Sequence, residues 1–192
     1  MSMPLLATAA DDGVALWDGG DEPRLRFAPH SASISALRWT ANDRVLASAS
    51  LDGAVVLSEP DGALFDTLRP TAPPNSRGPI VPIPVLAIAW SPASRYLASG
   101  SADALVRIFD LQKREHALTL RGQRSGVCAL SWSPSEVHVA SASALGDVLV
   151  HRVQVRMWQK SESNHQSASL GEGGLRQWPG MRWPRARCRS LR

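Results

Sequence analysis

The side chains in this chain that could do chemistry are five histidines, two cysteines and a scatter of aspartates and arginines, and their spacing argues against most of it. His30, His116, His138, His151 and His165 fall at no interval that would let them share a metal with one another or with Cys128 and Cys188. Neither a Gly-x-Ser-x-Gly elbow nor a His-Glu-x-x-His pair occurs, so the nucleophile and zinc chemistries those motifs serve have no anchor. Gly171-Glu-Gly173-Gly174 has the start of a phosphate loop, but Arg176 stands where its last glycine belongs and no strand leads into it. The reading is therefore a chain with no catalytic, cofactor or metal residue. What remains is structural hydrogen bonding. Thr8, Ser48, Ser99 and Ser141 each close a Leu/Val-Ala-Thr/Ser triplet. Asp12, Asp52 and Asp103 follow the first three hydroxyls by four residues, where they read as turn residues accepting backbone hydrogen bonds. His30 reads as a structural loop residue, and Cys128, inside an apolar run, as a small buried hydrophobe. Arg38, Arg95, Arg107 and Arg124 read as a solvated rim ahead of a partner contact.

The elements that must position these residues are legible as a repeat. The triplets begin at Leu6, Leu46, Leu97 and Val139, at spacings of 40, 51 and 42. Ahead of the last three stand apolar runs ending in tryptophan: Ile34 to Trp39, Val85 to Trp90 and Val127 to Trp132. Each is short, apolar on both faces and followed by turn chemistry, Ser91-Pro92 and Ser133-Pro134 in two of them. A strand apolar on both faces must be covered on both faces. Behind each triplet come a turn and a second apolar run: Val14 to Trp17, Val55 to Leu57, Leu105 to Phe109 and Val148 to Val150. No helix of ten or more residues separates the strands, and Leu111 to Arg121 fits a fourth, outer strand. The long spacing holds a Pro-rich inserted loop, 69–84, with six prolines that can neither donate to a ladder nor continue a helix.

These residues resemble the WD40 family of β-propellers. Leu97-Ala-Ser-Gly-Ser-Ala-Asp103 followed by Val106-Arg-Ile-Phe-Asp110 is close to its repeat signature, and Trp17-Asp18 is the signature pair itself. The resemblance covers residues 5–153 and implies an all-β fold, a partial propeller of about three and a half antiparallel four-stranded blades. It also implies a pin within each blade made of histidine, Ser/Thr, aspartate and tryptophan. By position, Thr8, Ser48, Ser99 and Ser141 take the hydroxyl, Asp12, Asp52 and Asp103 the aspartate, Trp17 the indole and His30 the histidine. Leu57 and Phe109 then stand where tryptophan would, Gln123 replaces the last histidine, and Leu145 the last aspartate. More narrowly, the order of the repeats, Phe27-Ala-Pro-His30 and the ending Gly146 to Val153 resemble the start of the centrosomal NEDD-type adaptors, which tether the γ-tubulin ring complex. That resemblance implies a non-catalytic scaffold with protein partners at the centrosome or spindle. A generic WD40 subunit, such as a ubiquitin-ligase receptor, is the rival, though Trp17-Asp18-Gly19-Gly20 lacks the Trp-Asp-x-Arg such receptors carry.

Composition divides the chain. Of the 192 residues, 44% are hydrophobic, and the net charge of +4 is uneven. Residues 1–155 carry 13 basic against 15 acidic side chains, whereas 156–192 carry 8 against 2. The domain reading is a partial propeller over 1–155 and a disordered basic tail over 156–192 that lacks any apolar period. The tail reads first as aberrant splice or gene-model sequence interrupting the fourth repeat. A basic aromatic arm for RNA or the acidic microtubule surface comes next, and an inert linker last. Nucleic acid is an unlikely partner for the repeats themselves. The short apolar run Leu5 to Ala10, and the absence of any stretch of about 20 apolar residues, suggest a soluble cytoplasmic protein without signal peptide or membrane span. A partial ring ends in open faces, one expected to carry Cys128, Leu130 and Trp132, and should self-associate.

Overall fold

The computed structural model describes residues 5–69 and 81–153. Residues 70–80 of the Pro-rich loop, Cys188 and the basic tail lie outside the described residues. Four antiparallel sheets follow one another along the chain. The first holds β1 (Leu6–Ala10), β2 (Gly13–Trp17) and β3 (Leu25–Phe27). The second holds β4 (Ile34–Trp39), β5 (Leu46–Ser50), β6 (Val55–Ser58) and β7 (Leu64–Leu68). The third holds β8 (Val85–Trp90), β9 (Tyr96–Ser101), β10 (Val106–Asp110) and β11 (Glu115–Leu120). The fourth holds β12 (Val127–Trp132), β13 (His138–Ser143) and β14 (Val148–Arg152). Each is a meander whose neighbours in sequence are neighbours in the sheet, and no helix occurs among the described residues. Leu111 to Arg121 supplies the outer strand β11.

The three inner strands β4, β8 and β12 are built alike. Each pairs with the following strand through a bulge after its first residue, between Ile34 and Ala36, Val85 and Ala87, and Val127 and Ala129. A bulge adds twist and re-aims the side chains beyond it. Each inner strand then turns through a left-handed residue, Asp43, Ser94 or Glu136, closed by a bond to the carbonyl of Thr40, Ser91 or Ser133. This corner also ties sheet to sheet: the Ala41 amide donates to Ser94 Oγ at 3.2 Å, and the Ala93 amide to Glu136 Oε1 at 2.5 Å.

Between sheets lie three apolar layers. Val14 and Leu16 meet Leu46, with Leu37 and Trp39 alongside. Val55 and Leu57 meet Val85, Ile88, Leu97 and Phe109. Tyr96, Val106 and Ile108 meet Val127 and Val139. Burying each large aliphatic side chain contributes about 1.5–3 kcal/mol, so stacking of sheets, and not any one sheet, holds the structure. Both faces of β5, β6, β9 and β10 are covered, every residue of these strands being buried, whereas of the strands ending in tryptophan β8 is mostly buried and β4 and β12 keep exposed residues.

The end sheet departs from the sequence reading. Trp132 and Leu130 are half-buried against the third sheet: the Trp132 ring lies 6.2 Å from that of Tyr96, and its Nε1 donates to the Ala89 carbonyl at 3.1 Å. Of the three residues assigned to the open face, only Cys128 is exposed. It is not the buried hydrophobe expected of an apolar strand, because among the described residues no further sheet covers that side of β12.

Candidate functional site

The hydroxyl at the third position of the repeat triplet takes part in polar contacts in the first, second and fourth sheets and stands alone in the third. In the second sheet His30 lies between two partners, with Nδ1 3.1 Å from Asp52 Oδ2 and Nε2 2.8 Å from Ser48 Oγ. An ionised carboxylate only accepts, so Nδ1–H donates to Asp52, while Ser48 Oγ stands between His30 Nε2 and the Val56 carbonyl, 3.4 Å away. Asp52 further accepts the amides of Ser31 at 3.0 Å and Ala54 at 2.8 Å. Burial pushes the Asp52 carboxyl up, but the two amides and His30 outweigh it, and it titrates below its ordinary value. The cluster clips the loop ahead of β4 to the turn between β5 and β6.

In the first sheet the Trp17 indole donates to Thr8 Oγ1 at 2.9 Å, an exposed bond. Asp12 is exposed.

The third sheet is wired differently. Ser99 Oγ is buried and has no partner among the described residues. Asp103 caps its turn, accepting the Leu105 amide, and binds Arg107 through both oxygens at 3.2 and 2.6 Å. Arg107 is buried at 4% exposure, which corrects its reading as a solvated rim residue. Arg95 corrects it too, because its Nη2 donates to Asp110 Oδ2 at 2.9 Å and its guanidinium stacks 5.0 Å over Tyr96. Burial raises the Asp110 pKa, but Arg95 and the amides of Lys113 and Gln112 hold it below the usual carboxylate range. Of the four rim candidates only Arg38 and Arg124 are exposed, the latter paired with Asp147 at 2.6 Å.

Strand register also corrects the position assigned to Leu57. Trp17 stands opposite Leu6, and the residues opposite the corresponding Leu46, Leu97 and Val139 are Ser58, Phe109 and His151. Leu57 points into the apolar layer toward the third sheet. In the fourth sheet this places His151 where the first has its tryptophan, and its Nε2 lies 3.2 Å from Ser141 Oγ. Gln123 Nε2 donates to the same hydroxyl at 2.8 Å. His151 was missed as a pin residue, although its place twelve residues after Val139, as Phe109 is after Leu97, was the available signal.

Burial holds His151 below the ordinary histidine pKa, and burial with the Arg107 charge does the same for His116. A base whose pKa falls on folding stabilises the fold above its unfolded pKa, and that contribution is lost as pH drops toward the folded value. Stability of the chain is therefore expected to decline as pH falls below about 6.5, with a second decline below about 3.9 as Asp52 and Asp110 protonate. Urea midpoints measured from pH 8 to 3 should show both steps, and His151→Gln should flatten only the first. A flat profile between pH 7 and 5 would contradict the assignment.

Among the described residues no group of three or more His, Cys, Asp or Glu could hold a metal. An open hollow of about 540 Å³ lies at the first sheet and is lined by Thr8, Ala10, Ala15, Trp17, Arg26 and Phe27 among others. No acid–base pair or nucleophile lines it. Large apolar side chains are exposed at the two end sheets, namely Leu6, Leu145, Val148 and Val150, and on the outer strand β7, Leu64 and Phe65.

Comparison with known proteins agrees with this architecture. The family model described as WD domain, G-beta repeat matches residues 21–57, 82–110 and 114–151. Protein HIR1 of Cryptococcus neoformans var. neoformans serotype D is 31% identical over 117 residues, covering 57% of this chain and 12% of that protein. Actin-interacting protein 1 of Drosophila melanogaster is 28% identical over 115 residues, covering 58% of this chain and 17% of that protein. The chain thus spans a small fraction of the length of either relative.

Proposed function

The chain belongs to the WD40-repeat family, and from that premise we propose that it is a non-catalytic interaction scaffold, a run of propeller blades from a centrosome or spindle adaptor that targets the γ-tubulin complex. The observation that carries the scaffold reading is the split between buried and exposed apolar residues. The layers between sheets are closed, while Leu6, Val148 and Val150 face solvent at the ends of the run. The His30 and Asp103–Arg107 clusters are buried or part-buried and serve the fold. Support for the spindle role is the order and spacing of the repeats, with Phe27-Ala-Pro-His30 leading the second and Gly146 to Val153 closing the fourth.

The test is co-sedimentation of the purified chain with γ-tubulin ring complex, with microtubules and with actin filaments in parallel. Saturable retention by the first or second is the expected result. Retention by actin alone would replace the spindle reading with the one suggested by the similarity to Actin-interacting protein 1. Removal of residues 156–192 separates blades from tail. Binding that disappears on removal and weakens steeply with salt would be tail electrostatics, and the blades would then not be the scaffold.

A further inference from the structure

We propose that the seam between the outer strands β3 and β7 is a docking surface for the chain's own basic, tryptophan-bearing segment 178–189. The seam is apolar and open. The turn before β7 leans on β3, where a Cβ at Gly62 would meet Leu25 Cδ2 at 2.5 Å and Phe27 Cδ1 at 3.5 Å. Leu64 stands opposite Ser58, whose neighbour Leu57 packs toward the third sheet, so alternation puts Leu64 on the side of the first. Leu25 and Phe27 are half-buried, whereas Leu64 is 55% and Phe65 41% exposed.

The internal repeat shows that the fold does not require this exposure. Ser58 and Phe109 stand opposite the equivalent Leu46 and Leu97, which aligns Leu64 with His116 and the bulge residue Phe65 with Ala117. His116 meets the Phe109 ring edge-on at 5.8 Å, and Ala117 is half-buried. The third sheet thus places a polar and a small residue where the second exposes a leucine and a phenylalanine.

Charge selects the occupant. Asp18, Asp21 and Glu22 between β2 and β3, and Glu59 and Asp61 between β6 and β7, are exposed and form no ion pair among the described residues. The matching turn of the third sheet carries Lys113 and Arg114 instead. Arg24 and Arg26 oppose these carboxylates, but Arg26, between Leu25 and Phe27, takes the other face of β3. Residues 5–69 hold ten acidic and five basic side chains, while 81–153 hold five and seven. Segment 178–189 brings four arginines, no carboxylate, and the apolar Trp178, Met181 and Trp183. Its arginines would meet the carboxylates while its indoles cover Leu64 and Phe65. Reach is ample: fully extended, the 25 residues from Val153 to Trp178 span about 80 Å, against about 30 Å for the diameter of a small domain. A docked segment withholds its arginines from any other anionic partner.

In the full chain, Cys128→Ser leaves Cys188 as the single thiol, to be labelled with benzophenone maleimide. Irradiation is expected to join it to residues within 18–27 and 59–67, read by mass spectrometry, with a yield unchanged on dilution. Raising salt from about 0.1 to 1 M shortens the screening length from about 10 to 3 Å and should lower that yield. Glu22→Lys with Glu59→Lys should lower it about five-fold. Leu64→Ser with Phe65→Ser should lower it about as much, and neither pair should alter the circular dichroism spectrum. The proposal is overturned if the cross-links scatter over all four sheets or gather on β1, β12 or β14. It is also overturned if either pair of substitutions leaves the yield unchanged. Cross-links between isotopically light and heavy chains would overturn it too, because the segment would then sit on a second copy.

Discussion

His30→Ala is expected to lower the stability of the chain by about 3 kcal/mol, measured as the shift of a urea transition followed by circular dichroism. The imidazole is fully buried and joins three segments: its own loop, the β5 hydroxyl of Ser48 and the β5–β6 turn through Asp52. Deleting it removes two hydrogen bonds worth about 0.5–1.5 kcal/mol each, leaves the Ser48 hydroxyl only the Val56 carbonyl at 3.4 Å, and opens a cavity. Asp52 retains its two amide donors, so its charge is not abandoned and the loss stays short of the worst case for a buried ion. Asp52→Asn and the double variant complete a cycle. A coupling near zero would mean the 3.1 Å contact contributes nothing. Thr8→Val removes a similar bond in the first sheet, from Trp17, but there solvent competes for both partners. A loss below about 1 kcal/mol is expected at that site. If the two substitutions cost the same, burial is not what gives these pins their weight.

The repeat itself was legible because a propeller sheet writes the same instructions each time. The Leu/Val-Ala-Ser/Thr triplets mark β1, β5, β9 and β13, and the Trp-terminated runs mark β4, β8 and β12. Their two-sided apolarity demanded neighbours on both sides, which β8 largely finds, whereas β4 and β12 keep exposed residues. What counting could not see was one residue of turn length. Leu6 and its partner Trp17 are eleven residues apart, whereas Leu46 and Ser58, Leu97 and Phe109, and Val139 and His151 are twelve apart. Measuring from the first repeat therefore landed on Leu57, a side chain of the opposite face, since a one-residue slip in a strand reverses direction.

The arginines failed for a different reason. A strand arginine reads as solvated because burying its charge alone is prohibitive. Arg107 escapes that cost through Asp103, which lies four residues back, across the tight turn into β10. Cys128 erred the other way, since an apolar strand says nothing about whether a covering sheet exists. His151 shows that the pin is a position before it is a residue type: Trp17, Ser58, Phe109 and His151 occupy it in turn, and Trp17 and His151 reach the hydroxyl two residues along the neighbouring strand.

Spacing between sheets sets the second large effect. Gly100→Val is expected to destabilise the chain by about 3 kcal/mol or more, near the upper end for overpacking a closed core. A Cβ on Gly100 would meet Val127 Cγ1 at 2.6 Å and Val127 Cβ at 2.8 Å, with the Val127 carbonyl oxygen at 3.2 Å behind them. Val127 is fully buried, and as the first residue of β12 it is fixed by its pairing with Ser143, so it cannot swing away. The corresponding positions in the second and fourth sheets, Ala49 and Ala142, carry a methyl group. Glycine here is a matter of space and not of backbone angle, because Gly100 is not among the residues with positive φ. Gly100→Ala should therefore cost less, about 1–2 kcal/mol, since the overpacking is partly offset by the gain in strand preference over glycine. The decisive measurement is the pair Gly100→Ala with Val127→Ala. If the clash is the cause, the second substitution should cost clearly less in the Gly100→Ala background than alone, a coupling of about 1 kcal/mol or more. Additive losses would mean that β9 and β12 are held apart by something other than this contact, and the close approach of the third and fourth sheets would need another explanation.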